Sequence, residues 1–190
     1  MAVNLTKGQK VSLTKDNPSL RKITVGLGWD VNRYDGGYDF DLDASAFLLG
    51  ANGKVPGDAD FIFYGNANHA SGGVTYGGDN RTGAGEGDDE QIVIDLSKVP
   101  AQYDRIVMVV NIYQCVQRKQ HFGMIQNAFI RLVNAADNQE LLKYNLSGDY
   151  QGRTAMIFGE VYRHNGEWKF GAIGEGTDDP GLGELARRYA

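Results

Sequence analysis

The sequence predicts a mainly all-β protein: an antiparallel β-sandwich of two sheets, with one or two short helices including a C-terminal one. Three observations carry that expectation. About ten segments rich in β-branched and aromatic residues recur at regular spacing. Two Asn-Gly pairs, Asn52-Gly53 and Asn165-Gly166, supply the positive backbone angles that tight hairpins need. Glycine is abundant, at 26 residues, while proline is scarce, at 4, so turns are plentiful and strands are rarely interrupted. With 190 residues and no internal repeat or linker, the chain reads as a single domain over 1–190.

Taken in order, residues 10–14 make a short, half-polar strand. Residues 22–29 alternate well and put Ile23, Val25, Leu27 and Trp29 on one face. A Tyr-Asp-Gly-Gly-Tyr turn at 34–38 precedes a strand over 39–49, and Asn52-Gly53 leads toward another at 61–64. Strand character resumes at 91–96. Residues 105–113 are apolar on both faces and read as a central strand. Segments 128–133 and 141–146 are joined by the turn-forming run 134–138, and Asn165-Gly166 joins 154–163 to 168–173. Helix is confined to 182–189 and one turn within 97–103.

Charge is distributed unevenly. Residues 34–104 hold thirteen Asp/Glu against three Lys/Arg, a local charge of −10; the remainder holds eleven against sixteen, or +5. The acids crowd into two stretches. Asp39-Phe40-Asp41-Leu42-Asp43 alternates carboxylates with apolar residues, and period-2 alternation places the three aspartates on one face, continued by Ser45, Phe47 and Leu49. Residues 78–90 interleave Asp79, Asn80, Gly83, Gly85, Glu86, Asp88, Asp89 and Glu90 in a glycine-rich loop whose carbonyls can turn inward. Crowded like charges repel, and a bound cation relieves that repulsion. Carboxylates, amide oxygens and backbone carbonyls together are the donor set of Ca²⁺; Mg²⁺ demands stricter octahedral geometry.

Known loop types fail the count. An EF-hand reading from Asp79 to Glu90 puts Arg81 at position 3 and Ala84 at position 6, where a ligand and a glycine are needed. A phosphate loop lacks its Gly-Lys-Ser/Thr ending, and five acids repel an anion. One copy of the Gly-x-Gly-x-Gly-Asp run builds no calcium solenoid. A bespoke site therefore remains, with more carboxylates than one ion needs, so two adjacent Ca²⁺ ions are expected.

The acidic half disfavours nucleic acid as a partner. No run of 18 apolar residues suggests a transmembrane segment, the N-terminus lacks a secretory signal's apolar core, and a lone Cys115 builds neither an internal disulfide nor a zinc framework. A cytoplasmic setting is the expectation. His69, His121 and His164 lack metal-ligand spacing and read as surface or turn residues; Cys115 reads as a structural thiol. The basic residues at 118–119 and 131 read as solvated, and Trp29 and Trp168 as packing residues.

Gly26-Leu27-Gly28-Trp29-Asp30, Phe40-Asp41-Leu42-Asp43-Ala44-Ser45, the run 78–90, Asn127-Ala128-Phe129-Ile130-Arg131 and Phe158-Gly159-Glu160-Val161-Tyr162-Arg163 resemble the TerD family over residues 3–189. The resemblance implies a β-sandwich, calcium bound through the acidic segments, and a non-enzymatic role in tellurite resistance and chemical stress. It also implies partners of the same system, membrane-embedded ones among them, met at the inner face of the membrane. The ligand role carries over to Asp41, Asp43, Asp79, Asp88 and Asp89, with Asp30 a further candidate beside Asn80, Gly85, Glu86 and Glu90. The family pattern has an acid at Ala84 and aspartate at Glu86, which reshapes one of the two sites. The competing readings are a metal-dependent phosphoester hydrolase and a Ca²⁺-dependent small-molecule binding module.

Overall fold

Twelve strands form two six-stranded sheets in the computed structural model, which describes residues 3–31, 37–78, 81–84, 87–146 and 150–190. In chain order they are β1 (Val3–Asn4), β2 (Lys10–Ser12), β3 (Lys22–Gly28), β4 (Leu42–Leu49), β5 (Phe61–Ile62), β6 (Val74–Tyr76), β7 (Glu90–Asp95), β8 (Arg105–Ile112), β9 (Phe129–Asn134), β10 (Glu140–Asn145), β11 (Ala155–His164) and β12 (Glu167–Thr177). The first sheet runs β1-β10-β9-β3-β7-β6 and the second β2-β12-β11-β8-β4-β5. All pairings are antiparallel except β1 with β10. The mainly antiparallel sandwich expected from the sequence is therefore observed, with one parallel edge pair added.

Alternation explains the core. Ile23, Val25 and Leu27 of β3 face Leu42, Ala44, Ala46 and Leu48 of β4 across the sandwich, together with Ile106, Met108 and Val110 of β8. As expected, β8 is central and buried on both faces, because a second, smaller cluster covers the outside of its sheet. There Phe47, Leu49, Val107, Val109, Ala155 and Ile157 pack under Leu185 of the C-terminal helix α2 (Leu182–Ala186), which continues as a 3₁₀ turn over Arg187–Tyr189. The face that begins with Asp43 and Ser45 thus ends beneath a helix. Burial there pushes the Tyr189 hydroxyl up to about 12, with Glu175 and Glu160 adding to the shift.

The Asn165-Gly166 hairpin forms as expected: both residues have positive φ, 51° and 78°, and His164 pairs with Glu167. Asn52-Gly53 makes a turn, with Gly53 at φ 73°, but not a two-residue hairpin. Residues 50–60 intervene, and β4 meets β5 only through Ala46↔Ile62 and Phe47↔Phe61. The helical turn expected within 97–103 is replaced by hydrogen-bonded turns, Lys98 N–H to Asp95 O and Tyr103 N–H to Pro100 O. A short helix instead occupies α1 (Cys115–Arg118), bracketed by Gln114 and Lys119 at φ 51° and 53°. Most of the 34–38 turn lies outside the described residues.

Truncating Leu185, which is fully buried, opens a cavity between α2 and the outer face of β8. Leu185→Ala should cost about 2–5 kcal/mol, read as a lower midpoint in urea denaturation.

Candidate metal centre

One end of the sandwich gathers the acidic segments, and a buried carboxylate fixes their relation. Glu90 opens β7 and points inward, where its Oε2 accepts from the Ala44 N–H at 2.6 Å and its Oε1 from the Tyr76 hydroxyl at 2.8 Å. Because β5 covers β4 only at Ala46 and Phe47, the Ala44 amide lies beyond its last strand partner on that side. Glu90 supplies that partner from the opposite sheet. Trp29 adds two further ties, its indole N–H to Phe40 O at 3.0 Å and its backbone N–H to Asp89 Oδ2 at 2.9 Å. Gly83, at φ 68°, lies against the indole so closely that any side chain would collide with it.

Two acid pairs stand out. Asp41 and Asp43, only 5% and 3% exposed, line a cavity of about 300 Å³ together with Asp39, Arg81 and Thr82 of the acidic loop. The acid strand and the first part of the loop thus meet, as expected. Asp43 Oδ2 also accepts from Asn111 Nδ2 at 3.3 Å, and Arg118 Nη1 lies 3.5 Å from Asp41 Oδ2. The second pair, Asp30 and Asp89, lines a separate cavity with Gly87 and Asn127. Asn127 Nδ2 donates to Asp30 Oδ2 at 2.8 Å. Burial raises the Asp89 pKa; the Trp29 amide works against that shift, while Asp88 and Asp30 reinforce it.

Asp88 is placed elsewhere. Its carboxylate lies over Gly26 on the outer face of the first sheet, where any side chain at position 26 would collide with it, and it pairs with Arg131 at 2.7 Å. Arg131 also reaches Glu140 at 3.2 Å, so its guanidinium is locked in a network rather than solvated. Alternation would put Asp88 on the same side as Glu90, two residues on, but the chain bends at Gly87 and Asp89 and separates them. Asp79, Asn80, Gly85 and Glu86 lie outside the described residues. Among the described residues, no three His, Cys, Asp or Glu side chains converge as a metal-holding group.

Other polar groups have structural partners. His69 lies in a turn but is buried, with Nε2 3.0 Å from Asp60 Oδ1 and Nδ1 2.7 Å from Ser71 Oγ. Nothing in its spacing from Asp60 announces that contact, which tertiary packing makes. Cys115 is buried, which raises its thiol pKa, and donates to Pro180 O at 3.3 Å. Asn111 escapes sequence reasoning as a site residue because a lone Asn in an apolar strand carries no spacing signal.

An antiparallel sandwich with an acid-lined end defines the class. The model of the TerD domain family matches residues 1–189, and the chain belongs to that family. It is 54% identical over 189 residues to General stress protein 16U of Bacillus subtilis (strain 168) and 53% identical to Tellurium resistance protein TerD of Serratia marcescens. Each alignment covers 100% of this chain and 97% of the relative. The fold is similar to a crystal structure of the unknown-function protein SAV2460, at TM-score 0.74 and 26% identity, covering 88% of this chain and 95% of that one. A structure of SCO6318 from Streptomyces coelicolor A3(2), a homologue of telluride resistance protein (TerD), shares the fold at TM-score 0.68 and 22% identity, covering 85% and 92%.

The buried carboxylates make two outcomes measurable. Glu90→Gln keeps one acceptor for two buried donors, and should cost about 1–3 kcal/mol in denaturant melts. A carboxyl whose native pKa is raised contributes stability below its unfolded pKa and loses it as pH rises through the native pKa. An asparagine amide at the same position carries no such charge. Asp89→Asn, in chelator, should therefore be more stable than wild type at pH 7, with the difference vanishing as pH falls below the ordinary Asp range.

Proposed function

We propose that this protein is a calcium-binding, non-enzymatic stress protein acting in tellurium resistance, whose Ca²⁺-ordered acidic loops present a surface to protein partners. The role in stress and tellurium resistance follows from what its relatives are called: General stress protein 16U and Tellurium resistance protein TerD, and in Clostridium acetobutylicum Chemical-damaging agent resistance protein B, 50% identical over 135 residues. Calcium is supported by one observation above the others. Two separate pairs of carboxylates, Asp41 with Asp43 and Asp30 with Asp89, lie at one end of the sandwich; each pair lines a cavity, and beside Asp89 the neighbouring acids Asp88 and Asp30 add to the burial that raises its pKa. The donors are all oxygen, which suits a hard cation.

Two ions would occupy the two pairs, with Asp79, Asn80, Gly85 and Glu86 supplying further oxygens. Bound calcium would neutralise the repulsion and cross-link the acid strand to the loop. Asp88 and Glu90 act as framework groups in this reading, since Arg131 holds one and the Ala44 amide and Tyr76 hydroxyl hold the other. The partners are other proteins of the resistance system, including membrane-embedded ones met at the cytoplasmic face of the membrane. No helix among the described residues is long and apolar enough to cross a membrane, so contact there would be peripheral.

A second reading is favoured by the aromatic lining of the Asp41–Asp43 cavity, where Tyr38, Tyr64 and Tyr113 gather: a Ca²⁺-dependent small-molecule site. A ligand screen with and without calcium separates the two.

Calorimetric titration with CaCl₂ tests the main reading. Wild type should bind two ions, Asp43→Ala should lose one and Asp30→Ala the other. Calcium at a hundredfold excess over Kd should stabilise the fold by about 2.7 kcal/mol for each site. Equal melting temperatures in excess calcium and in chelator would end the proposal.

A further inference from the structure

A buried polar atom without a hydrogen-bond partner is uncommon in a folded protein and asks for a water, an ion or a ligand. Among the described residues, the side-chain atoms in that state are Ser45 Oγ, Asn111 Oδ1, Arg118 Nε, Gln120 Oε1 and Thr177 Oγ1. They are not scattered. Asn111 stands opposite Asp43 in the β4–β8 register, and the row continues across β11 and β12 through Ala155 and Thr177. Directly opposed residues share a sheet face, and Ser45 follows Asp43 by one alternation on that same face. Ser45, Asn111 and Thr177 are at most 3% exposed. Arg118 and Gln120 close the same end, the first against Asp41 and the second donating to Tyr38 O at 2.8 Å.

A cavity of about 300 Å³ lies at this row, lined by Asp43, Asn111, Tyr64, Tyr113 and, from the segment before α2, Gly181. Asp43, Tyr64 and Tyr113 also line the Asp41 cavity beside it. The segment that roofs the new cavity is tied down by Thr154 Oγ1, which donates to Asp179 O at 2.7 Å, and by the Cys115 thiol on Pro180 O.

The chemistry of the unpartnered atoms selects the occupant. Serine and threonine hydroxyls rotate to donate or accept, so they fix no charge. Asn111 is different. Its Nδ2 donates to Asp43 Oδ2, and the opposite amide orientation would set an oxygen against a carboxylate, so Oδ1 is the end left over. An amide oxygen only accepts. Whatever meets it is a hydrogen-bond donor or a cation, and beside the buried Asp43 carboxylate a cation is favoured. Neutral amide oxygens are ordinary ligands of Ca²⁺.

We infer that Asp43 and Asn111 form a cation site on the outer face of β4 and β8, with Asn111 Oδ1 as a neutral ligand and the segment before α2 as its roof. This rests on the calcium reading above and adds to it a ligand and a location. It places one ion against the sheet that carries α2, away from the Asp30–Asp89 pair beside β3. Ion binding there would also hold the C-terminal segment down.

The test compares wild type, Asn111→Leu and Asn111→Asp, titrated with CaCl₂ by calorimetry. A parallel titration uses Tb³⁺, a hard oxygen-seeking ion whose luminescence nearby tyrosines sensitise. Asn111→Leu, close in volume but without an oxygen, should weaken one calcium site by about tenfold or more, leave the other unchanged, and lose tyrosine-sensitised Tb³⁺ emission. Asn111→Asp should be destabilised in chelator and recover in calcium, with a larger calcium-induced rise in melting temperature than wild type. That second variant decides the matter if Asn111→Leu does not fold. Wild-type calcium binding retained in full by Asn111→Leu, or an Asn111→Asp protein that calcium does not rescue, overturns the inference and leaves an ordered water as the partner of Asn111. Wild type that binds no calcium at all overturns both this inference and the calcium reading.

Discussion

The arrangement of the acidic end depends on one buried carboxylate. Glu90 belongs to the first sheet, yet its two oxygens satisfy a backbone amide of the second sheet and a tyrosine hydroxyl of its own. A buried carboxyl that accepts from two donors in a dry interior is strongly directional, and leaving either donor unpaired is costly. The contact therefore sets how far the start of β4, with Asp43 and the Asp41 that precedes it, stands from the end of the acidic loop. Trp29 reinforces the same spacing, bridging to Phe40 on one side and Asp89 on the other.

Within that frame the protein treats its carboxylates in two ways. Some are held by groups of the chain that suit a negative charge: Asp88 by the Arg131 guanidinium, Glu90 by two neutral donors. Asp89 accepts the Trp29 amide but also stands beside further acids, and burial with those acidic neighbours pushes its pKa upward. Arg118 approaches Asp41 only to 3.5 Å and also lies over the rings of Tyr38 and Tyr113. The cluster is thus graded, from a close ion pair at the sheet's outer face to crowded like charge at the sandwich end.

The second hydrophobic cluster gives this end a further connection. Alternation along β4 carries Asp43 and Ser45 on the same face as Phe47 and Leu49, so one strand face passes from charge to grease within a few residues. The apolar part is covered by α2, and the polar part by the segment leading into it. The C-terminal segment and the acid strand consequently share a surface.

Much of this was determined by the sequence. Period-2 alternation located β3 and β4, a run apolar on both faces located β8, and Asn165-Gly166 formed its hairpin because those residues tolerate positive φ. The crowding of acids into two stretches was legible as well, and the fold sets Asp41 and Asp43 beside Arg81 and Thr82 of the second stretch. Tertiary structure decided the rest. Strands β1 and β6 are two and three residues long and exist through pairing with β10 and β7, not through any pattern of their own. Helix α1 sits between two left-handed residues, Gln114 and Lys119, that local propensity would not choose. A bend turned Asp88 away from Glu90, and long-range register brought Asn111 to Asp43 across 68 residues of chain. Periodicity is a local property and was legible in the chain; which carboxylate finds a counter-charge depends on contacts between distant segments, and only the folded sandwich fixes those.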